Sequence, residues 1–586
     1  MAASACTATN THCEHPLKPN TYYYMSNGKA AQLITLPEYF LHWEKTQPDA
    51  PFLRQPAGEQ WKTLSWSEAG KQIRQIAAAI HTLGLEPGDK IGIVSKNCYH
   101  WIIADLAIMF GGWVSVPFYP NLNGRQLEEV VRAGDIKLLF VGKLDNWPEM
   151  KTGIPPDLPI IRFPHYPGNS IVQDGLDWDN ILQTSYLIPE LALPKLADLW
   201  TILFTSGTTG TPKGVMLDFA APAKLMANEQ QYNTLNIFGG SDHRFFSYLP
   251  LNHIAERIIV EVAALITGGT ISFAESLDTF AENLRQTQPT LFMAVPRIWT
   301  KFQMGILQRM PEKRLATLLK IPVINGAIRK KIKKGLGLDK ARIMLTGAAP
   351  TPDALKNFFE ALGIRLQEVY GMTENCGGCT LMPANGIKAG VVGKPLPNVE
   401  IRIAPENGEV LMRVPWMMLG YYGAPEKTAD VLRDGWLHTG DQGEIDPEGY
   451  LKLTGRVSDT FKSSKGKFIV PAPIEWGFAE NKYIEQVCVT GLAIPQPLAL
   501  VVLSEAAQKA PRENVETLLR QSLDTVNAAL SGFERLKSLV VLSEPWSVEN
   551  GILTPTMKIR RDVLARRYET LLQTWYDRNE TIIWES

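Results

Sequence analysis

The stretch "LFTSGTTGTPKGVML", residues 203–217, sets three glycines, five hydroxyl side chains and one lysine between two apolar runs. Glycines let backbone N–H groups converge on an anion, hydroxyls add donors, and Lys213 adds a positive charge. Such a loop can hold phosphate, with Thr205, Ser206, Gly207, Thr208, Thr209, Gly210 and Lys213 as its donors. It is not the phosphate loop of the nucleoside triphosphatases. That pattern places Gly directly before the lysine and a hydroxyl directly after it, at the start of a helix. Here Pro212 precedes Lys213, Gly214 follows it, and "GVML" reads as a strand, so no helix dipole faces the phosphates. A plain turn between two strands is the bland alternative, but such turns need only about two to five residues.

Four further segments carry chemistry-bearing side chains: "YGMTE" at 370–374, "LHTGD" ending at Asp441, "GR" at Gly455-Arg456, and "GILTPTMKIRR" around Lys558. Alone, each charge would be an ordinary surface group. In this order, and after "TSGTTGTPKG", they are similar to the signature motifs of the AMP-forming, adenylate-forming superfamily of acyl-CoA synthetases, luciferases and adenylation domains. The resemblance covers nearly the whole chain after residue 30.

The resemblance implies a reaction in two halves. A carboxylate attacks the α-phosphorus of ATP and expels pyrophosphate; a thiol, usually that of coenzyme A, then displaces AMP from the acyl-adenylate. Bringing an anion to a polyanion demands charge neutralisation first. The residues from Thr205 to Lys213, with Thr373, would cradle the phosphates. Thr205 and Glu374 would hold Mg²⁺, a hard cation that prefers oxygen. Tyr370 would stack on adenine beside Glu368, Gly371 and the small residues Gly347, Ala348 and Ala349. Asp441 offers two acceptor oxygens to the ribose hydroxyls, and Arg456 adds donors. Lys558 would bridge the substrate carboxylate and the α-phosphate. It lies far along the chain from the phosphate loop, so two domains must close and then rearrange about a hinge at Ser458 and Asp459. Relatives often carry lysine or aspartate where this chain has Ser458. Some relatives use a lysine there to contact the nucleotide; Lys462 matches a second lysine position and would take over that ATP contact, and Gly466 falls where relatives place a glycine loop beside the thiol tunnel.

"SYLPLNHIAERIIVEV" and "MAVPRIWTKF" resemble the long-chain fatty acyl-CoA synthetase branch. His253 would then sit at the mouth of an apolar acyl pocket; a capping histidine in the core is the alternative. The implied function is a long-chain fatty acid:CoA ligase using ATP, Mg²⁺ and coenzyme A. A fatty acyl-AMP ligase that loads a carrier protein, or an inactive acyl- and nucleotide-binding homologue, stands as the alternative. "IRKKIKKGLG" from Ile328 is a basic helix that reads first as a solvated face and second as peripheral membrane contact. "CGGC" at 376–379, with no second pair, reads as pocket wall rather than a metal or redox pair.

The elements that must position these groups follow from periodicity. In "SWSEAGKQIRQIAAAIHTLGLEPGDKIGIV", Ser65 and Glu68 form a capping box and Ile73, Ile76, Ile80 and Leu83 trace a helical face. Gly84 closes that helix, Pro87-Gly88 turns, and "KIGIV" starts a strand. In "RIMLTGAAPTPDALKNFFEALGI" a strand ends at Thr346, Thr351 caps a helix with Pro352 at its first position, and Gly363 ends it. "DGWLHTGDQGEIDPEGYLKLTGR" has the spacing of strands joined by tight turns. Beyond it lies a shorter alternation with helices at about 512–530 and after Lys558.

The expected fold is therefore α/β: a large N-terminal domain of layered α/β subdomains plus small β-structure, 31–456, and a smaller, mobile C-terminal α+β domain, 457–586. Residues 1–30 read as a poorly ordered leader whose His12, Cys13 and His15 are too few for a zinc site. At 586 residues the chain exceeds a single core. Its net charge of −1 argues against a nucleic-acid binder. Six cysteines make no disulfide framework and suit a reducing cytoplasm. "WIIADLAIMFGGWVSVPFY" from Trp101, broken by Asp105, Gly111-Gly112 and Pro117, reads as helix, turn and strand rather than a membrane span. The partners are fatty acid, ATP and coenzyme A; a homodimer is left open.

Overall fold

The architecture comes from a computed structural model describing residues 25–26, 29–30, 33–184, 193–205, 212–479, 481–492, 494–548, 550–554 and 558–585. His12, Cys13 and His15 of the expected leader, and Ser206 to Gly210 of the expected phosphate loop, lie outside the described residues.

An eight-stranded sheet forms the first layer, in the order Gly420–Tyr421, Lys213–Asp218, Leu199–Thr205, Val114–Phe118, Lys90–Val94, Ile136–Val141, Ile160–Arg162 and Leu176–Asp177. The expected helix forms over Trp66–Thr82. Its capping box is present, with Glu68 N–H donating to Ser65 Oγ at 3.2 Å and Ser65 N–H to Glu68 Oε2 at 2.8 Å. Gly84 follows at φ +76°, in the left-handed region glycine favours. The apolar run from Trp101 folds as read: helix Tyr99–Phe110 is buried along its whole length, and strand Val114–Phe118 follows the Gly111-Gly112 turn. Among the described residues no helix is long and apolar enough to cross a membrane.

The strands either side of Lys90–Val94 run parallel to it, and the connections leaving them diverge, the usual place for a ligand crevice. Here the crevice is filled. Lys143, buried, donates from Nζ to the carbonyls of Ala274 at 3.1 Å and Glu275 at 2.6 Å.

A five-stranded sheet holds Leu291–Ala294, Ile343–Gly347, Gln367–Tyr370, Thr380–Leu381 and Lys394–Pro395. Its helix Asp353–Ala361 begins one residue later than expected. Pro352 is the residue before the helix, and the Thr351 hydroxyl bonds Thr346 Oγ1 at 2.9 Å rather than capping. A second five-stranded sheet contains Trp436–Ile445 and Leu451–Arg456, joined by a tight turn in which Asp446 accepts from the N–H of Glu448 and Tyr450, each at 2.9 Å.

After Arg456 the chain builds its own four-stranded sheet, Ile484–Thr490, Leu498–Leu503, Leu539–Val541 and Ile582–Trp584, with one apolar cluster on each face. Helix Arg512–Ala528 covers one face and helix Arg561–Asp577 the other. The smaller α+β unit is thus present as expected.

One polar cluster is sealed inside the large unit. Arg257 is wholly buried and donates to Asp105 Oδ2 at 2.6 Å, Glu261 Oε2 at 2.9 Å and Thr201 Oγ1 at 3.3 Å. Its guanidinium carbon lies 4.4 Å from the ring centroid of Trp200. Burial and the Asp105 carboxylate hold the Glu261 carboxyl well above the usual carboxylate range. Arg257 opens a π-helical stretch, Arg257–Val262, so a widened helix is clamped to the strand whose last residue is Thr205.

Candidate active site

Strands Leu199–Thr205 and Lys213–Asp218 run antiparallel and pair Thr205 with Lys213, so the segment between them starts and ends at one point. The Thr205 hydroxyl donates to the Lys213 carbonyl at 3.4 Å. The short edge strand Gly420–Tyr421 pairs with Val215 and Met216 on the same sheet. That pairing aims Tyr421 at two expected site residues. Its hydroxyl donates to Glu374 Oε1 at 2.8 Å, and the Lys213 ammonium lies 5.1 Å from its ring centroid. Among the described residues none donates to the other Glu374 oxygen, Oε2.

The second group gathers around Asp441. Register pairing places Asp441 opposite Arg456, and Arg456 Nη1 lies 3.3 Å from Asp441 Oδ1. The Tyr370 hydroxyl donates to Asp441 Oδ2 at 2.6 Å. Burial, then the neighbouring Asp441 charge, keeps the Tyr370 phenol protonated far above its ordinary value. Beside it the exposed loop of Ala348 and Ala349 leaves the strand ending in Gly347, with Ala348 at φ +63°. A Cβ on Gly347 would lie 2.6 Å from the Val369 carbonyl, so glycine is what lets the loop start there.

Lys558 comes to both groups from the smaller unit. Its loop is closed on itself: Thr554 N–H donates to the Lys558 carbonyl at 2.8 Å, and Lys558 N–H to Thr554 Oγ1 at 3.0 Å. The ammonium sits in a cleft crowded by protein yet open to solvent. It feels the charges of Arg456, Asp441 and Glu374. Burial, then Arg456, lowers its pKa below the ordinary lysine value. His253 shares this cleft. Burial and then the Lys558 charge push its imidazole down to about 4, so it is neutral near pH 7. Its Nδ1 accepts from Ala255 N–H at 3.2 Å, so His253 does cap a short helix while facing Lys558.

Not every expected residue joins the cleft. The Glu368 carboxylate is buried on the opposite side of its strand, accepting from Lys356 Nζ at 2.9 Å and Thr351 N–H at 3.2 Å. Its carboxylate is engaged as a structural anchor in this arrangement. Lys462 also stays outside in this arrangement: its ammonium lies 5.4 Å from the Phe468 ring centroid, on a hairpin turned by Gly466 at φ +75°. Gly371 packs against Gly377, whose carbonyl leaves no room for a Cβ, and Thr373 opens the short turn that carries Glu374. Cys376 and Cys379 are buried, and burial raises both thiols, in keeping with pocket wall.

Two residues that sequence reasoning missed are central. Tyr421 links Glu374 and Lys213. Arg561 donates to Asp459, an expected hinge residue, at 3.0 Å and also bonds Glu475, bracing that segment against the helix that follows Lys558. The "GYY" around Tyr421 carried no charge or spacing to mark it.

The domain model for AMP-binding enzymes matches residues 40–422, and that for the AMP-binding enzyme C-terminal domain matches residues 458–580. The chain belongs to the AMP-binding enzyme family. This AMP-binding enzyme is 27% identical to a long-chain-fatty-acid–CoA ligase of Mycobacterium bovis, over 91% of the chain and 96% of that protein. It is 28% identical to long-chain-fatty-acid–CoA ligase 5 of Mus musculus, over 95% and 90%. Among solved structures, the adenylation domain of a carboxylate reductase from Mycobacterium chelonae superposes with a TM-score of 0.75 at 23% identity, covering 93% and 91%. The o-succinylbenzoate CoA synthetase of Bacillus subtilis, in complex with its acyl-adenylate intermediate, gives 0.71 at 21%, covering 90% and 98%. These two likenesses establish the fold of the AMP-binding enzyme: a large α/β unit and a smaller C-terminal one.

Proposed function

We propose that this chain is a long-chain fatty acid:CoA ligase, ATP-dependent and AMP-forming, with residues 31–456 as the adenylation domain and 457–586 as the domain that delivers Lys558. Similarity along almost the whole chain to proteins named long-chain-fatty-acid–CoA ligases supports the substrate class. The observation that carries the chemistry is that the Lys558 ammonium lies within electrostatic reach of Glu374, Asp441 and Arg456, groups that belong to the other unit.

In the first half-reaction a fatty-acid carboxylate oxygen forms a bond to the α-phosphorus as the bond from that phosphorus to pyrophosphate breaks. Lys558 holds the two anionic groups together and takes up charge in the transition state. Lys213 and the loop 205–210, with Thr373, hold the departing phosphates. Asp441 accepts from the ribose hydroxyls, Arg456 steadies Asp441, and Tyr370 with Gly347, Ala348 and Ala349 flanks the base. Neutral His253 lines the acyl entrance without adding a charge against the carboxylate. In the second half the coenzyme A thiol attacks the acyl carbon and AMP leaves, after the small domain turns about Ser458 and Asp459. Lys462 and Gly466 reach the cleft only in that second arrangement.

The donor set fits magnesium. Among the described residues no three His, Cys, Asp or Glu side chains cluster as a self-sufficient metal site. One carboxylate oxygen of Glu374 and the Thr205 hydroxyl, completed by substrate phosphates and water, are the sparse oxygen set Mg²⁺ favours. When bound, the ion neutralises phosphate charge; Glu374 and Thr205 would hold it. The buried free thiols Cys98, Cys376, Cys379 and Cys488 suit a reducing cytoplasm.

The test is fatty-acid-dependent ATP–pyrophosphate exchange across acids of increasing length, followed by AMP release with coenzyme A or with a carrier protein as acceptor. Exchange that rises with chain length, and AMP released on adding coenzyme A, is the expected result. ADP and phosphate as products, or exchange with no response to any fatty acid, would overturn it.

A further inference from the structure

The charge of this chain is not evenly spread. Residues 309–342 hold eleven lysines and arginines against two carboxylates, Glu312 and Asp339, in a chain whose net charge is −1. Among the described residues, none of those eleven cations lies within ion-pair distance of a carboxylate. The segment forms two packed helices, Glu312–Leu319 and Ile324–Leu336, joined by an exposed turn. The second helix has no fully buried residue. Ile328, Ile332 and Leu336 rest on the core beneath, which fixes the helix while Lys330, Lys331 and Lys334 face outward.

The turn itself is apolar. Val323 is 89% exposed, with Ile321 at 39% and Ile324 at 41%. Val323 sits at φ +70° and ψ −51°, at the centre of a tight turn closed by Ile324 N–H donating to the Pro322 carbonyl at 2.8 Å. This is the rarer, strained hand of the γ-turn, and a β-branched residue is poorly suited to it. A strained backbone that holds an apolar side chain in water adds nothing to the stability of the fold.

We propose that the apolar tip at residues 321–324 and the basic face of Ile324–Leu336 form a docking surface for an anionic lipid bilayer. The lysines reach headgroup phosphates and acidic headgroups, while Ile321, Val323 and Ile324 enter the apolar boundary below them. The apolar tip favours this occupant over a nucleic acid, which would be met by charge alone. Only the use of this surface, delivery of a membrane-dissolved acid, rests on the ligase proposal.

Co-sedimentation of the full chain with phosphatidylcholine–phosphatidylglycerol vesicles, against vesicles of phosphatidylcholine alone, tests this without any substrate. Binding to the mixed vesicles alone, weakened by salt, is expected. The combined Lys330, Lys331, Lys333 and Lys334→Glu variant should lower partitioning by at least about tenfold. Val323→Asp should lower it by roughly three- to tenfold through the tip. Thermal melts of both variants should match the parent, which separates lost docking from lost folding. Equal binding of parent and charge variant, or no binding by the parent, overturns the proposal. Capture of a small acidic protein through the same lysines, with no vesicle binding, also overturns it. Ligation of a detergent-dispersed acid should be unchanged in both variants; absence of ligation in the parent would remove the ligase proposal and leave the vesicle result standing.

Discussion

The Tyr421 hydroxyl donates to Glu374 Oε1 at 2.8 Å while its ring underlies the Lys213 ammonium. One side chain on an edge strand therefore sets the position of the carboxylate proposed to hold magnesium and of the lysine proposed to hold phosphate together. Tyr421→Phe keeps the ring and removes only the donor. A hydrogen bond to a charged acceptor contributes about 1.5–3 kcal/mol, so adenylation efficiency should fall roughly ten- to a hundredfold. Titrating Mg²⁺ in the pyrophosphate-exchange assay should show a raised requirement, and thioester formation from supplied acyl-adenylate should be unchanged. Equal damage to both half-reactions would point to a general packing role.

Lys558→Ala should cripple acyl-adenylate formation and spare thioester formation, which separate assays of the two half-reactions will show. The pH profile has a definite sign. In the proposed mechanism the ammonium is the working form, and its pKa is depressed by burial and Arg456. Adenylation should therefore fall on the alkaline side at a lower pH than an ordinary lysine would give. His253, at about 4, contributes no limb near pH 6.5. An alkaline limb that persists unchanged in Lys558→Arg would belong to another group.

Glu256 is buried beneath the His253 turn, accepting from Tyr248 N–H at 2.9 Å, and burial raises its carboxyl to about 8. The folded chain thus holds this proton more tightly than the unfolded one. Between the unfolded carboxylate pKa and about 8, rising pH progressively favours unfolding at this site, by a few kcal/mol at most. Glu256→Gln mimics the protonated form and removes that slope. Denaturant melts at pH 5 and pH 8 should show the variant gaining on the parent at the higher pH, and parallel curves would contradict the assignment.

Arg257→Met should lower stability by about 3–5 kcal/mol, because the buried Asp105 carboxylate loses its cation and Glu261 loses its donor together. Adding Asp105→Asn and Glu261→Gln should recover part of the loss, measurable as the urea midpoint. No recovery would mean that packing around Trp200, and not charge, dominates.

Local signals made much of this legible from the chain alone. The Ser65–Glu68 box, the Gly84 stop and the Asp446 turn are contacts within a few residues, so spacing reveals them. The motif residues Lys213, Tyr370, Glu374, Asp441, Arg456 and Lys558 were recognisable because each sits in a run of fixed order. What spacing hides is pairing across the fold. Tyr421 meets Glu374 across 47 positions and Arg257 meets Asp105 across 152. The Lys356 partner of Glu368 was hidden for a related reason: alternation along a strand sends that carboxylate to the face opposite its neighbour Val369.

The brace at Arg561 has a mechanical consequence. Arg456 belongs by strand pairing to the large unit, whereas Asp459 is tied by Arg561 to the small one. In the proposed rearrangement the axle would then lie within residues 457–460, where the Thr460 hydroxyl still donates to Gln442 Oε1 of the large unit at 3.2 Å. A compact serine there suits a pivot better than a bulky side chain. Lengthening that axle by one residue would alter the angle at which Lys558 arrives, detuning the swing without touching any group that meets the nucleotide.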